Sequence, residues 1–125
     1  MKTVFCDIDG TIVKHHGLGL SAQVSMDPEI LPGVIEKFNK WQSLGYTIIL
    51  VTGRTSSMRE ETEAQLKSLG IFWNKLIMDL PNGPRVIVND LKPNVRIKDS
   101  DLDSSKLTAL GMVVERNSGL EEVKI

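Results

Sequence analysis

Cysteine is almost missing: Cys6 is the single one in 125 residues. One thiol forms no intrachain disulfide and cannot by itself build a cysteine metal site. A disulfide-stapled secreted scaffold is therefore excluded, and a cytoplasmic address is expected. Long apolar runs are missing too. None approaches the ~18 residues of a membrane-spanning helix, so no membrane partner is expected. The first residues hold one lysine and then enter a strand-like segment, without the apolar stretch and small-residue cleavage site of a signal peptide. No charge of one sign dominates. Fifteen basic and 16 acidic side chains give a net charge of −1, which disfavours a broad nucleic-acid or anionic-membrane face. Repeats, low-complexity tracts and linkers are absent, and so is spare length. The chain fits one domain, 1–125, with no room for a separate lid. What remains is an ordinary globular composition, 41% apolar and 25% charged, sufficient for a core.

Short apolar runs alternate with segments of helical spacing, the pattern of an α/β domain with a mainly parallel sheet. The run Thr3–Asp7 is apolar on both faces and predicts a central strand covered on each side. Residues 13–31 are irregular, with Gly17 and Gly19 among polar residues. Val34, Ile35, Phe38, Trp41 and Leu44 follow Pro32-Gly33 at helical spacing, and Gly45 closes that helix. Thr47–Val51 reads as a second buried strand. Ser57-Met58-Arg59-Glu60 reads as a capping box opening a helix that ends near Gly70. Two further strand-like runs, Lys75–Asp79 and Val86–Asp90, flank Pro81-Asn82-Gly83-Pro84. A parallel crossover needs roughly ten to twelve residues, and only about six are available, so an antiparallel hairpin is expected. A late helix at Ser104–Leu110 and a last strand at Met112–Glu115 complete the prediction.

Chemistry concentrates at three strand ends. Asp7-Ile8-Asp9-Gly10-Thr11 closes the first strand, and residues two apart in extended backbone point to the same side. Two adjacent carboxylates repel and call for a proton, a cation or a metal beside them. A carboxylate is also a nucleophile towards phosphorus. The second strand ends in Thr52-Gly53-Arg54: a hydroxyl donor, a glycine that lets backbone approach, and a guanidinium that pairs with anions. The run Val86–Asp90 ends in Asn89-Asp90. Asp7, Asp90 and a carbonyl at Asp9 would form a hard oxygen site suited to Mg²⁺.

In this order, DxDGT, TGR and ND resemble the haloacid dehalogenase superfamily of phosphohydrolases over most of the chain. The resemblance implies a three-layer, Rossmann-like fold and Mg²⁺-dependent hydrolysis of a phosphomonoester through an aspartyl-phosphate. It makes Asp7 the nucleophile and Asp9 the acid and base. Thr52 would hold the phosphoryl group, and Asp7, Asp9 and Asp90 the metal, with Asn89 in support. It also requires a cationic residue. A hairpin centred on Asn82-Gly83 sets Lys75 opposite Asp90 and makes it first choice. Lys92 is second, and Arg85 lies roughly 16 Å away along its strand. Residues 13–31 stand where larger members insert a cap, so the chain resembles the small capless type. Bacterial sugar-phosphate and capsule-type enzymes are the group it looks most like, and a small sugar phosphate is the substrate this implies.

Each residue also has a plainer explanation. His15 and His16 fit solvated loop positions, since neither has a second His or Cys at metal spacing. Cys6 points away from Asp7 on a strand and fits inert packing. Arg54 could be a surface residue after a turn. Arg116-Asn117, after the last predicted strand, could be loop or could touch substrate. Competing activities are a phosphotransferase or mutase, a nucleic-acid 3′-end phosphatase, and a non-catalytic phosphate-binding module. Oligomeric state is left open.

Overall fold

Alternation of apolar residues builds the sheet. Val4 and Cys6 in Thr3–Asp7 (β1), Ile48 and Leu50 in Thr47–Val51 (β2) and Leu76 in Lys75–Ile77 (β3) all point into the core. The computed structural model describes residues 1–96 and 106–125. These form two units: Met1–Asn82 with Val114–Ile125, and Gly83–Val113.

In the first unit the three strands lie in the order β1-β2-β3, parallel throughout. Asp7 pairs with Val51, and Val51 with Ile77, so three carboxyl ends stand level. The helices are Leu20–Ser25 (α1), Val34–Ser43 (α2) and Arg59–Ser68 (α3), the last preceded by a 3₁₀ turn at Ser56–Met58. Val34, Phe38 and Trp41 recur at helical spacing on α2 and join the buried strand residues, with Leu66 of α3, in one cluster. Phe38 and Trp41 meet edge to face with centroids 5.1 Å apart. Gly45 closes α2 in the left-handed region, as expected. The tail returns to the same core through Leu120 and Val123.

Several expectations are corrected. The parallel pairing of β3 with β2 replaces the antiparallel hairpin. Residues 71–74 suffice to return the chain from α3 to the starting end of the sheet, which is the geometry a parallel strand requires. In the described sheet β1 is an edge strand, and Phe5 is 51% exposed. The capping box does not form: Ser57 sits inside the 3₁₀ turn, and α3 has no side-chain cap at its start. Instead Asp79 Oδ1 accepts the Ser56 N–H at 2.8 Å. Residues 13–31 contain α1 and are closed at the neck by a Val13–Ile30 bridge.

The second unit has no α-helix and no β-strand among its described residues. Val86 and Val88, expected in a strand, are exposed. Met112–Glu115 forms no strand either, and the helix expected from Ser104 begins outside the described residues.

Candidate active site

The loop after β1 curls around one carbonyl. Ile8 O accepts the N–H groups of Thr11, Ile12 and Val13 at 3.2, 2.8 and 3.2 Å, while the Gly10 N–H donates to Val13 O. Gly10 has φ +90°, a conformation that suits glycine far better than any side chain. Asp7 is half-buried at the strand end, and Thr11 Oγ1 donates to its Oδ2 at 3.2 Å.

Asp9 is held by a clamp. Arg54 Nε donates to Oδ2 at 2.9 Å and Nη2 to Oδ1 at 2.8 Å, a bidentate pair. Gln23 Nε2 adds a third bond to Oδ1 at 3.0 Å. A carboxylate has about four acceptor positions. Three are taken among the described residues, which leaves one on Oδ2 for a proton. The other side of the guanidinium is also engaged, with Nη1 donating to Thr62 Oγ1 at 3.1 Å and Gln65 Oε1 at 2.8 Å. Arg54 is 1% exposed. This corrects its assignment to substrate: both faces of the fork are occupied inside the protein, so it orients Asp9 and has no surface to offer an anion.

Thr52 is equally buried. Its hydroxyl oxygen accepts the Arg54 N–H at 3.0 Å, and its proton has no acceptor among the described residues. The strand-end motif is stapled to the segment after β3: Thr52 N–H to Ile77 O, Asp79 N–H to Arg54 O and Leu80 N–H to Thr52 O. A Cβ on Gly53 would stand 3.3 Å from Leu80 O, so the close approach favours glycine there.

Lys75 does not reach this edge by the expected route. Parallel pairing sets it beside Ile49, two residues short of the level shared by Asp7, Val51 and Ile77, roughly 7 Å along the strand. The pairing that placed it opposite Asp90 is absent. Asn89, Asp90 and Lys92 belong to the second unit, where the Asp90 carbonyl accepts from Thr108 Oγ1 and from Asn89 Nδ2. His15 Nδ1 accepts the Gly17 N–H at 2.9 Å, and the His16 N–H donates to Gln23 Oε1 at 3.0 Å.

Among the described residues no group of three or more His, Cys, Asp or Glu side chains could hold a metal. The donor set of the first unit still fits Mg²⁺. It offers the Asp7 carboxylate and the Asp9 carbonyl, two hard oxygens, and Mg²⁺ takes few protein ligands and fills the rest with water and phosphate. The Asp9 carboxylate is committed to Arg54 and Gln23, so only its backbone oxygen is free to serve.

The residues that the sequence did not point to are Gln23, Thr62, Gln65 and Asp79. Gln65 Nε2 also donates to Val24 O and Met26 O, tying residues 13–31 to α3. Polar residues on a helix or in a loop resemble a solvated surface until the buried arginine they serve is in place.

The chain is similar to several known proteins. The family model described as PITM 1–3, LNS2 domain, matches residues 4–91. The Stem 28 kDa glycoprotein of Glycine max is 35% identical over 98 residues, covering 66% of this chain and 39% of that protein. Phosphatidic acid phosphohydrolase 1 of Saccharomyces cerevisiae is 35% identical over 88 residues, 70% of this chain and 10% of that one. The chain thus spans well under half of these relatives. Among solved structures, a chain of the Pnkp1/Rnl/Hen1 complex aligns with TM-score 0.56 and 30% identity over 68% of this chain and 30% of that chain. A Vibrio cholerae protein aligns with TM-score 0.51 and 18% identity, over 72% and 80% of the two chains, and shares the fold. The chain belongs to the LNS2 domain family and has a small α/β fold of the haloacid dehalogenase type, with no cap evident among the described residues.

Proposed function

We propose that this chain hydrolyses a small phosphomonoester with Mg²⁺, in two in-line steps through an aspartyl-phosphate at Asp7. The observation that carries this is the placing of two carboxylates of one short segment at the strand end: Asp7 at the level edge of the sheet, and Asp9 two residues on, oriented by Arg54 and Gln23.

An oxygen of Asp7 attacks phosphorus, and the bond to the leaving oxygen breaks as that oxygen takes a proton from Asp9 Oδ2. Asp9 then takes a proton from water, the water oxygen attacks phosphorus, and the bond to Asp7 breaks to release phosphate. The buried Thr52 hydroxyl donates to a phosphoryl oxygen, and Gly53 lets backbone approach it. Mg²⁺, held by Asp7 and the Asp9 carbonyl, would neutralise the charge of the nucleophile and phosphate. Asp90 as a further ligand, Asn89 in support and Lys92 as the neutralising cation follow from the family resemblance. With its hairpin pairing gone, Lys75 gives way to Lys92.

We take a sugar phosphate as substrate and the cytoplasm as location. A lipid phosphate is the second class, because one relative is named for hydrolysis of phosphatidic acid. No helix among the described residues is long and apolar enough to cross a membrane.

The test is a panel of sugar phosphates, a phosphatidic acid in mixed micelles and a 3′-phosphorylated oligonucleotide, each with Mg²⁺ and with chelator. Turnover of sugar phosphates that needs Mg²⁺ is expected, and Asp7→Asn should remove at least about 99.9% of it with the circular dichroism spectrum unchanged. Undiminished turnover in that variant would end the mechanism. Preferential turnover of the lipid or the oligonucleotide would replace the substrate class, and Asp90→Asn tests the additional ligand.

A further inference from the structure

Two side chains converge over the DxDGT loop without any part in the steps above. A Cβ built on Gly10 would lie 3.2 Å from Arg116 Cγ and 3.5 Å from His15 Cβ. Their stems therefore pack against the backbone that follows Asp9. Arg116 is exposed, and its guanidinium has no carboxylate or hydrogen-bond partner among the described residues.

The position of this arginine is fixed by its neighbour. The Asn117 N–H donates to Gly10 O at 2.8 Å, Asn117 Oδ1 accepts the His15 N–H at 2.6 Å, and Asn117 Nδ2 donates to His15 O at 3.0 Å. Asn117 has φ +64°, a left-handed conformation that asparagine tolerates better than most residues. A turn closes behind it, with the Ser118 N–H and Oγ both donating to Glu115 O. Three bonds and a turn thus anchor the residue next to a charge that has no internal use. His15 adds a ring whose Nδ1 is taken by Gly17, leaving Nε2 open.

The direction of this pair follows from the loop. Gly10 adjoins Asp9, the residue proposed to serve the leaving oxygen, and the Arg116 stem packs against Gly10, so its charge is carried on the stretch of backbone next to Asp9. Arg54, the arginine of the strand-end motif, is sealed inside and supplies no charge there.

We propose that Arg116, with His15 beside it, binds a second anionic group on the leaving side of the substrate, a phosphate or a carboxylate. The substrate class becomes a phosphomonoester whose leaving group carries another anion. This rests on the phosphatase function proposed above, because the leaving side is defined by Asp9.

The experiment compares matched substrates with the full chain. Fructose 1,6-bisphosphate against fructose 6-phosphate reads a second phosphate, and 6-phosphogluconate against glucose 6-phosphate reads a second carboxylate. Wild type should prefer the doubly anionic member of at least one pair in kcat/KM. Arg116→Gln should cut that preference about tenfold, mainly through KM, with Arg116→Lys recovering part of it. His15→Ala should lower it less. Calorimetric binding of the same pairs to the Asp7→Asn variant, with and without Arg116→Gln, reads the contact without turnover. An affinity ratio that Arg116→Gln leaves unchanged overturns the assignment of Arg116. Turnover that survives Asp7→Asn overturns the phosphatase function instead.

Discussion

At the scale of single residues, the Arg54–Asp9 pair fixes the orientation of one of the two loop carboxylates. The guanidinium is desolvated and answers four acceptor contacts, so removing it leaves a largely buried carboxylate with the Gln23 hydrogen bond and no countercharge. Arg54→Ala should cost roughly 3–5 kcal/mol in urea unfolding. Arg54→Lys keeps the charge but loses the fork, and should lower kcat about 10²-fold with a much smaller stability loss, since displacing a reacting group by an ångström has effects of that order. Cys6 offers a separate check. Burial, and secondarily the Asp7 charge, pushes its thiol from 9.0 up to about 12. The folded state then holds a proton that the unfolded state releases, so stability is fully present below pH 9 and falls as pH rises towards 12. Cys6→Ala should flatten that part of the pH–stability curve, and the native thiol should resist alkylation at pH 8 while reacting in urea. The strand-end positions of Asp7 and Thr52 were legible, because an apolar run followed by a polar residue marks where a buried strand stops. The partner of Asp9 was not. It lies 45 positions away and looks in sequence like an anion-binding surface arginine.

At the scale of elements, the sequence read well wherever one helix or strand buried its own stripe. The α2 helix shows this: its apolar spacing and closing glycine sufficed. Pairing between strands read poorly. Asn82-Gly83 is a strong local turn signal, yet whether the strands before and after it pair depends on where the chain enters β3, which no local signal carries. The four residues after Gly70 bring the chain to the starting end of the sheet and make β3 parallel. The turn that leads into α3 failed similarly, since the acceptor for its Ser56 N–H is Asp79, distant in sequence and itself at φ +66°. Asp79→Ala should destabilise the protein by about 1–2 kcal/mol in thermal or urea unfolding, from the lost cap and the strained backbone. Asp79→Asn, which accepts the same hydrogen bond and the same φ, should cost only a few tenths.

At the scale of the whole chain, the tail is a structural part of the first unit. The Leu120 N–H donates to Pro32 O, and Gly119, at φ +87°, sits where an added Cβ would collide with that carbonyl. Gly119→Ala should lower stability by at least about 1–3 kcal/mol, through backbone strain alone before the collision is counted. The Asn117 contacts join the tail to the loop after β1 across 102 positions of sequence. That separation has a temporal meaning. A ribosome adding roughly 5–20 residues per second takes on the order of 5–20 s to make the intervening chain. The loop after β1 can close on itself early, but its anchor does not exist until Asn117 has emerged. A nascent chain stalled just before Asn117 would carry both loop aspartates and Arg116 and still lack the asparagine that anchors the arginine, so under the proposed role of Arg116 full substrate discrimination should appear only once synthesis has passed that point.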